Sequence, residues 1–229
     1  AGIEVVSGIL ENECRRLNRG YIRRTVLGRP WVTVKGAISL DGGMALESGE
    51  SKWITGMDAR TAAHRLRSEH DAVLVGAGTV IADDPELTVR HSCGTSPVRV
   101  ILDSRMSTPP HSRVFSGGTV FFTSGDASPA KIARAAAAGA EVVSVPSQSG
   151  KVSIRHVLSA LASRGVCSVL AEGGPTVIGS LFREGFVDWV SLFISPRIMG
   201  KNRPFSGELS FTAMDETVKI AAPSLRAVG

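Results

Sequence analysis

The sequence predicts an α/β fold: a mostly parallel central sheet with helices on both faces. Three observations carry that expectation. Strand-length apolar runs alternate with helix-length amphipathic ones through most of the chain. The strand-like runs end in small or polar residues, as they do where strand carboxyl ends open onto a ligand. The 229 residues, 43% hydrophobic and 21% charged, are enough for one large domain with a filled core.

Taken in order, Ile3 to Val6 is β-rich, and Glu11 to Ile22 sets Cys14, Leu17 and Tyr21 at helical spacing. Gly28-Arg29-Pro30 breaks the pattern and marks a boundary. Trp31 to Ser39 reads as a strand, and Leu40-Asp41-Gly42-Gly43 as a turn. Met57 to Glu69 is an amphipathic helix with Ala62, Ala63 and Leu66 on its apolar face. Strands are expected at Asp71–Gly76, Pro97–Asp103, Thr119–Ser124, Glu141–Val145, Val166–Ala171 and Trp189–Pro196. Helices are expected at Pro129–Ala138, Ile154–Arg164 and Pro175–Glu184. Helix and strand in alternation imply parallel pairing with both sheet faces covered. No internal repeat or low-complexity tract interrupts the series.

Composition excludes several function classes. No apolar run reaches the roughly 20 residues of a membrane-spanning helix, so no membrane partner is expected. The start lacks the basic and apolar regions of a signal peptide, which makes the cytosol the expected location. Net charge is +5 and the pI about 9.5, but the basic residues are scattered and there is one Tyr. Without aromatic–basic interleaving, nucleic acid is not expected, and the spare positive charge suits an anionic small molecule. Cys14, Cys93 and Cys167 form no close pair, and the five histidines show no ligand spacing, so no metal is expected.

Four segments carry candidate chemistry. Gly76-Ala77-Gly78-Thr79 follows a strand and opens like a dinucleotide fingerprint, but Ile81 stands where the third glycine belongs. A Rossmann domain is therefore disfavoured, and a glycine-permitted tight turn is the simpler reading there. The segment continues through Asp83, Asp84 and Pro85 to Arg90, where carboxylates suit hydroxyl or amide groups and an arginine suits a phosphate. Glu172-Gly173-Gly174-Pro175 ends a strand and starts a helix whose N-terminus suits a pyrophosphate. Ser104 and Arg105, again after a strand, suit the 2′-phosphate that separates NADP from NAD. Trp53, between polar residues, suits stacking on a planar ring, or a helix-start staple.

Together, Lys35 to Gly42, Glu50 to Gly56, Gly76 to Arg90, Leu102 to Ser104 and Glu172 to Asp188 resemble one family. It is the reductase domain of the bifunctional riboflavin-biosynthesis deaminase/reductase, and the likeness covers nearly the whole chain from Arg29. The resemblance implies a dihydrofolate reductase-like fold, NADPH as hydride donor and a homodimer. The implied reaction reduces the ribosyl group of 5-amino-6-(5-phosphoribosylamino)uracil to ribityl, so the partner is a phosphorylated pyrimidine. On the family's pattern, Ala37, Trp53, Thr79, Asp83, Ser104, Gly174, Pro175, Thr176, Val177, Ile178, Gly179 and Ser180 fall at NADPH positions. Ser51, Arg67, Leu87, Arg90 and Glu172 fall at substrate positions, with Arg67 and Arg90 expected on the 5′-phosphate. The proton donor is open between Glu172, Asp83 and a bound water. A reductase of the diamino-pyrimidinone analogue and a non-catalytic NADPH-binding fragment are the alternatives.

Two departures accompany the resemblance. The deaminase half's zinc signature is missing, yet residues 1–28 resemble that half's last strand and helix, so residues 29–229 are expected to be the reductase domain. The chain also stops at Arg226-Ala227-Val228-Gly229, where the family continues into a final strand.

Overall fold

The computed structural model describes residues 2–115, 117–207 and 209–228. In chain order the elements are α1 (Glu11–Leu17), α2 (Arg19–Leu27), β1 (Trp31–Ser39), β2 (Gly43–Leu46), α3 (Met57–Ser68), β3 (Ala72–Gly76) and α4 (Ala77–Asp83). They continue with β4 (Val98–Leu102), β5 (Thr119–Thr123), α5 (Pro129–Ala137), β6 (Glu141–Ser144), β7 (Ser147–Gln148), β8 (Lys151–Val152) and α6 (Ile154–Ser163). The last are β9 (Ser168–Ala171), α7 (Pro175–Arg183), β10 (Trp189–Ser195) and β11 (Asn202–Pro204), with short 3-10 turns at Arg113–Phe115 and Met214–Glu216.

Seven strands form one sheet in the order β10-β1-β9-β3-β4-β5-β6, and every pairing in it is parallel. Because parallel neighbours in register point the same way, Val34, Ala171 and Leu74 line one face and Thr33, Leu170 and Val73 the other. On the first face Val32, Val34, Leu74 and Phe122 pack against Val157, Leu158 and Leu161 of α6 and Ile178 and Leu181 of α7. On the second, Val73, Val75, Ile101 and Phe121 pack against Val80 of α4 and Ala135 of α5. His70, just after α3, joins Thr33 on that second face, its Nε2 2.8 Å from the Thr33 Oγ1. Burial on both sides explains why these strands read as continuous apolar runs instead of alternating ones.

Carboxylates at the strand starts fix the alignment. Asp71 accepts the backbone N–H groups of Cys167 and Ser168 at 2.8 and 2.9 Å, pinning β9 beside β3. Asp188 accepts from Arg29 at 2.6 and 3.0 Å and from the Val32 N–H at 2.9 Å, and it also pairs with Arg23. One nearly buried side chain thus ties α2, β1 and the start of β10. Inside β1, Gly36 leaves room for the Phe205 ring, which an added Cβ would meet at 2.4 Å.

Some sequence expectations change. Ile3 to Val6 forms no strand: its residues are exposed and pair with nothing in the sheet, so β-propensity has nothing to act on. The single helix expected over Glu11–Ile22 is two, divided at Asn18, whose side chain and N–H both bond the Cys14 carbonyl. The expected turn after β3 is the N-cap of α4, with Gly76 extended at its start.

Candidate active site

The carboxyl edges of β1, β9, β3 and β4 open onto one cleft of about 1090 Å³. Lys35 and Ala37 reach it from β1, Gly76 to Thr79 from the β3–α4 junction, Ser104 and Arg105 from beyond β4, and Glu172 to Val177 from the β9–α7 junction. Ser51 and Ile54 enter from the loop before α3, Arg203 from β11, and Lys151 from the β7–β8 hairpin.

The β9–α7 turn is built for close backbone approach. A Cβ on Gly173 would meet that of Val177 at 2.8 Å, so only glycine lets the helix start this close to the strand. Gly174 caps α7 and Pro175 opens it, and among the described residues no N-cap side chain bonds the first N–H groups of the helix, whose positive end lies toward the cleft. Thr79 accepts the Gly174 N–H at 3.2 Å, joining the two post-strand turns. Beyond β4, Asp103 takes the N–H and hydroxyl groups of Ser107 and Thr108 at 2.7 to 2.9 Å, which shapes the loop holding Ser104 and Arg105. The Ser104 hydroxyl accepts the Val152 N–H at 2.9 Å, so the β7–β8 hairpin is fastened over that end of the cleft.

At the other end Arg67 and Glu172 form a two-pronged ion pair, Nε to Oε1 at 2.7 Å and Nη2 to Oε2 at 2.9 Å, with side chains 12% and 9% exposed. Burial alone would raise the Glu172 pKa. The Arg67 charge and hydrogen bonds, aided by Lys35 and His64, instead hold it below the usual carboxylate range. Arg67 gives a third bond, from Nη1 to the Thr88 carbonyl at 3.0 Å. The loop that follows α4 turns through two non-glycine residues in the left-handed region, Asp84 at φ 42 and Leu87 at φ 57. Leu87 is 2% exposed, so burial of its side chain offsets that backbone cost. Arg113 clasps the loop from outside through the Asp84 carboxylate and carbonyl and through Glu86.

The cleft therefore brings together most residues named from the sequence: Ala37, Thr79, Asp83, Ser104, Gly174 to Val177 and Ser180, and on the other side Ser51, Arg67, Leu87 and Glu172. Four do not line it. Ile178 and Gly179 turn into the core, because helical periodicity carries every third or fourth residue of α7 to its buried side. Trp53 is 63% exposed and lies under the Arg60 guanidinium at 4.4 Å. Arg90 sits outside the lining, 44% exposed and paired with Glu86. Arg67 lines the cleft but is committed to Glu172 and Thr88, which is a different state from a free phosphate clamp. Glu172, so paired, is ionised at neutral pH and has no proton to give; Asp83 is 38% exposed, 3.9 Å from the Lys52 ammonium.

Sequence reasoning passed over Lys35, Lys151, Arg183 and Arg203, four cations on the cleft wall. Lys35 had a signal: it sits two residues before Ala37, hence on the same strand face, and is the one charged residue of β1. The others come from a hairpin, a helix end and a two-stranded ribbon, whose placement depends on distant partners.

A parallel sheet with its cleft across four strand carboxyl ends, a helix N-terminus facing that cleft and cations along the wall, is an α/β domain shaped for an extended anionic small molecule. Comparison with known proteins makes this specific. The chain belongs to the RibD C-terminal domain family, which it matches over residues 30–228. A riboflavin biosynthesis protein RibD from Bacillus amyloliquefaciens is 40% identical over 204 residues, covering 87% of this chain and 54% of the relative. The RibD of Aquifex aeolicus is 35% identical over 233 residues, covering 100% of this chain and 64% of the relative. Among solved structures, a Thermotoga maritima diaminohydroxyphosphoribosylaminopyrimidine deaminase/5-amino-6-(5-phosphoribosylamino)uracil reductase superposes with a TM-score of 0.80 at 36% identity, covering 99% of this chain and 62% of that one. Acinetobacter baumannii RibD gives a TM-score of 0.82 at 31% identity, covering 95% of this chain and 60% of that one. The chain thus spans between 54% and 64% of the length of the curated relatives and shares the dihydrofolate reductase-like fold of the solved ones.

Proposed function

We propose that this chain is a pyrimidine reductase of riboflavin biosynthesis, which uses NADPH to reduce the ribosyl group of 5-amino-6-(5-phosphoribosylamino)uracil to ribityl. The observation that carries the reading is the run of the cleft across β1, β9, β3 and β4. Three strand spacings of about 4.8 Å make roughly 14 Å, the scale of a dinucleotide laid across strand ends.

The residues fit such a cofactor. The start of α7, with Gly174 and Thr79, would hold the pyrophosphate. Ser104, Arg105 and Lys151 would hold the extra phosphate of NADPH, and Ala37 on β1 leaves space for the reactive ring. When bound, NADPH supplies a hydride. The chain's own residues bind, orient and exclude water. Ser51 and Leu87 shape the substrate side, and the Arg67–Glu172 pair offers carboxylate oxygens to hydroxyl or amide groups. Arg90 is held only by an exposed ion pair, a weak contact, and Arg113 still satisfies Glu86 when Arg90 turns to a phosphate. Lys35, the cation on the β1 wall near Glu172, is the better source of the required proton, since Glu172 is ionised. The reading includes a cytosolic setting, where Cys14, Cys93 and Cys167 stay thiols, and a homodimer, favoured by Trp189, Leu192 and Ile194 exposed on edge strand β10.

The test follows the near-ultraviolet absorbance of NADPH as the purified chain meets the aminouracil nucleotide and, separately, its diamino-pyrimidinone analogue. Turnover of the first and little of the second is expected. Binding of NADPH with no turnover of either would sink the enzyme reading.

A further inference from the structure

Two side chains of α3, one turn apart, grip the same stretch of backbone. Arg67 donates to the Thr88 carbonyl at 3.0 Å, and the buried His64 ring accepts the Arg90 N–H on its Nδ1 at 3.1 Å. These bonds bracket Val89 and fasten the end of the loop that carries Leu87 into the cleft. His64 is itself braced by the His91 ring, edge-on at 4.7 Å. The bond to Arg90 needs an unprotonated Nδ1, hence the neutral Nε2–H form. The surroundings supply that condition: burial first, then the charges of Arg67, His91 and Arg90, outweigh Glu172 and bring the His64 pKa to about 4.

We infer that His64 is a positioning residue for the substrate: its Nδ1 fixes the Arg90 backbone, and with it the point from which the Arg90 side chain leaves Glu86 to meet the substrate phosphate. The inference rests on the substrate reading given above. His64 does not itself line the cleft, and its hydrogen bond to this stretch is made by one acceptor atom to one amide, so its effect on substrate passes through Arg90.

The test compares His64→Asn, His64→Gln and His64→Ala in the whole chain. Asparagine places its carbonyl oxygen where Nδ1 stands, whereas glutamine offers its oxygen one bond further out. The first measurement is hydrogen exchange at the Arg90 amide. It should be slow in the parent and in His64→Asn, and faster by about tenfold in the other two, the loss of one neutral hydrogen bond. The second is kinetic: His64→Gln and His64→Ala should raise KM for the phosphorylated pyrimidine about tenfold with kcat within about twofold, while NADPH affinity stays put. His64→Asn should restore KM. If His64→Ala fails to fold, the asparagine–glutamine pair decides. Equal Arg90 exchange or equal KM in the asparagine and glutamine variants would overturn the inference. If the parent itself turns nothing over, the substrate reading fails, and the exchange rates alone still decide whether His64 holds the loop.

Discussion

Arg67 and Glu172 meet through two hydrogen bonds of 2.7 and 2.9 Å although 105 residues separate them. The pair joins α3 to the end of β9 and, through the Thr88 carbonyl, to the loop after α4. Three segments that share no sequence neighbourhood are locked into one wall of the cleft.

Breaking that pair from one side should be costly. Arg67→Ala leaves a nearly buried carboxylate without its partner, which typically costs about 3–5 kcal/mol. Denaturant unfolding of parent and variant at neutral pH measures it; a loss below about 1 kcal/mol would mean that water reaches Glu172 freely. The difference should also depend on acidity. In the parent the folded Glu172 pKa lies below its unfolded value of 4.5, so its stabilisation is complete above that pH and fades as pH falls below it. In Arg67→Ala burial is no longer opposed, the folded pKa rises, and protonation relieves the variant. The gap between the two proteins should therefore narrow in acid.

His64 gives a second acid signature. Its folded pKa is near 4 against 6.5 unfolded, so between those values the unfolded chain binds the extra proton. Stability should thus decline as pH falls through that window, by at most about 1.4 kcal/mol per pH unit from this residue. His64→Asn should flatten the slope, and an unchanged slope would show that the ring titrates normally.

Cofactor preference should follow Arg105 and Lys151. The chain is expected to bind NADPH over NADH by at least about tenfold, or about 1.4 kcal/mol. Replacing both cations with alanine should bring the two dissociation constants together without weakening NADH. A fluorescence titration with each nucleotide reports this, and a preference that survives both substitutions would move the phosphate site elsewhere.

Arg90 is exposed, so Arg90→Ala should barely alter stability, yet it should lower kcat/KM for the phosphorylated substrate about 10- to 150-fold. Arg90→Lys should recover only part of that, because an ammonium cannot reproduce a forked grip. Parental turnover in both variants would remove Arg90 from the substrate site.

Much of this was legible in the sequence, and the exceptions have causes. The central strands and α3, α5, α6 and α7 announce themselves because long apolar runs and helical stripes are local signals. The strands β7, β8 and β11 span two or three residues, too few for any periodicity. The helix α4 was hidden by Gly76 and Gly78, which read as a turn until the packing of Val80 decides otherwise. In the site, residue types were readable but pairings were not. Nothing in the neighbourhood of Arg67 reveals Glu172, so an arginine expected to wait for a phosphate is found already engaged. Likewise, a contiguous motif such as Gly174 to Ser180 cannot all face one ligand once it is wound into a helix.

The strand order has a consequence for how the chain is made. Both neighbours of β1 come late: β9 begins at Ser168 and β10 at Trp189. By contrast β3, β4, β5 and β6 lie side by side in the order of their synthesis. At roughly 5–20 residues per second, β1 leaves the ribosome some 6–26 s before its first partner arrives. During that interval Val32, Val34 and Ile38 have no sheet to enter, while the four middle strands can already zip together. Nascent chains arrested short of Ser168 should accordingly be cut by protease around β1 and resist it across residues 72–144. The late-made strands β9 and β10 are what close over β1, and until they arrive its apolar side chains stay uncovered.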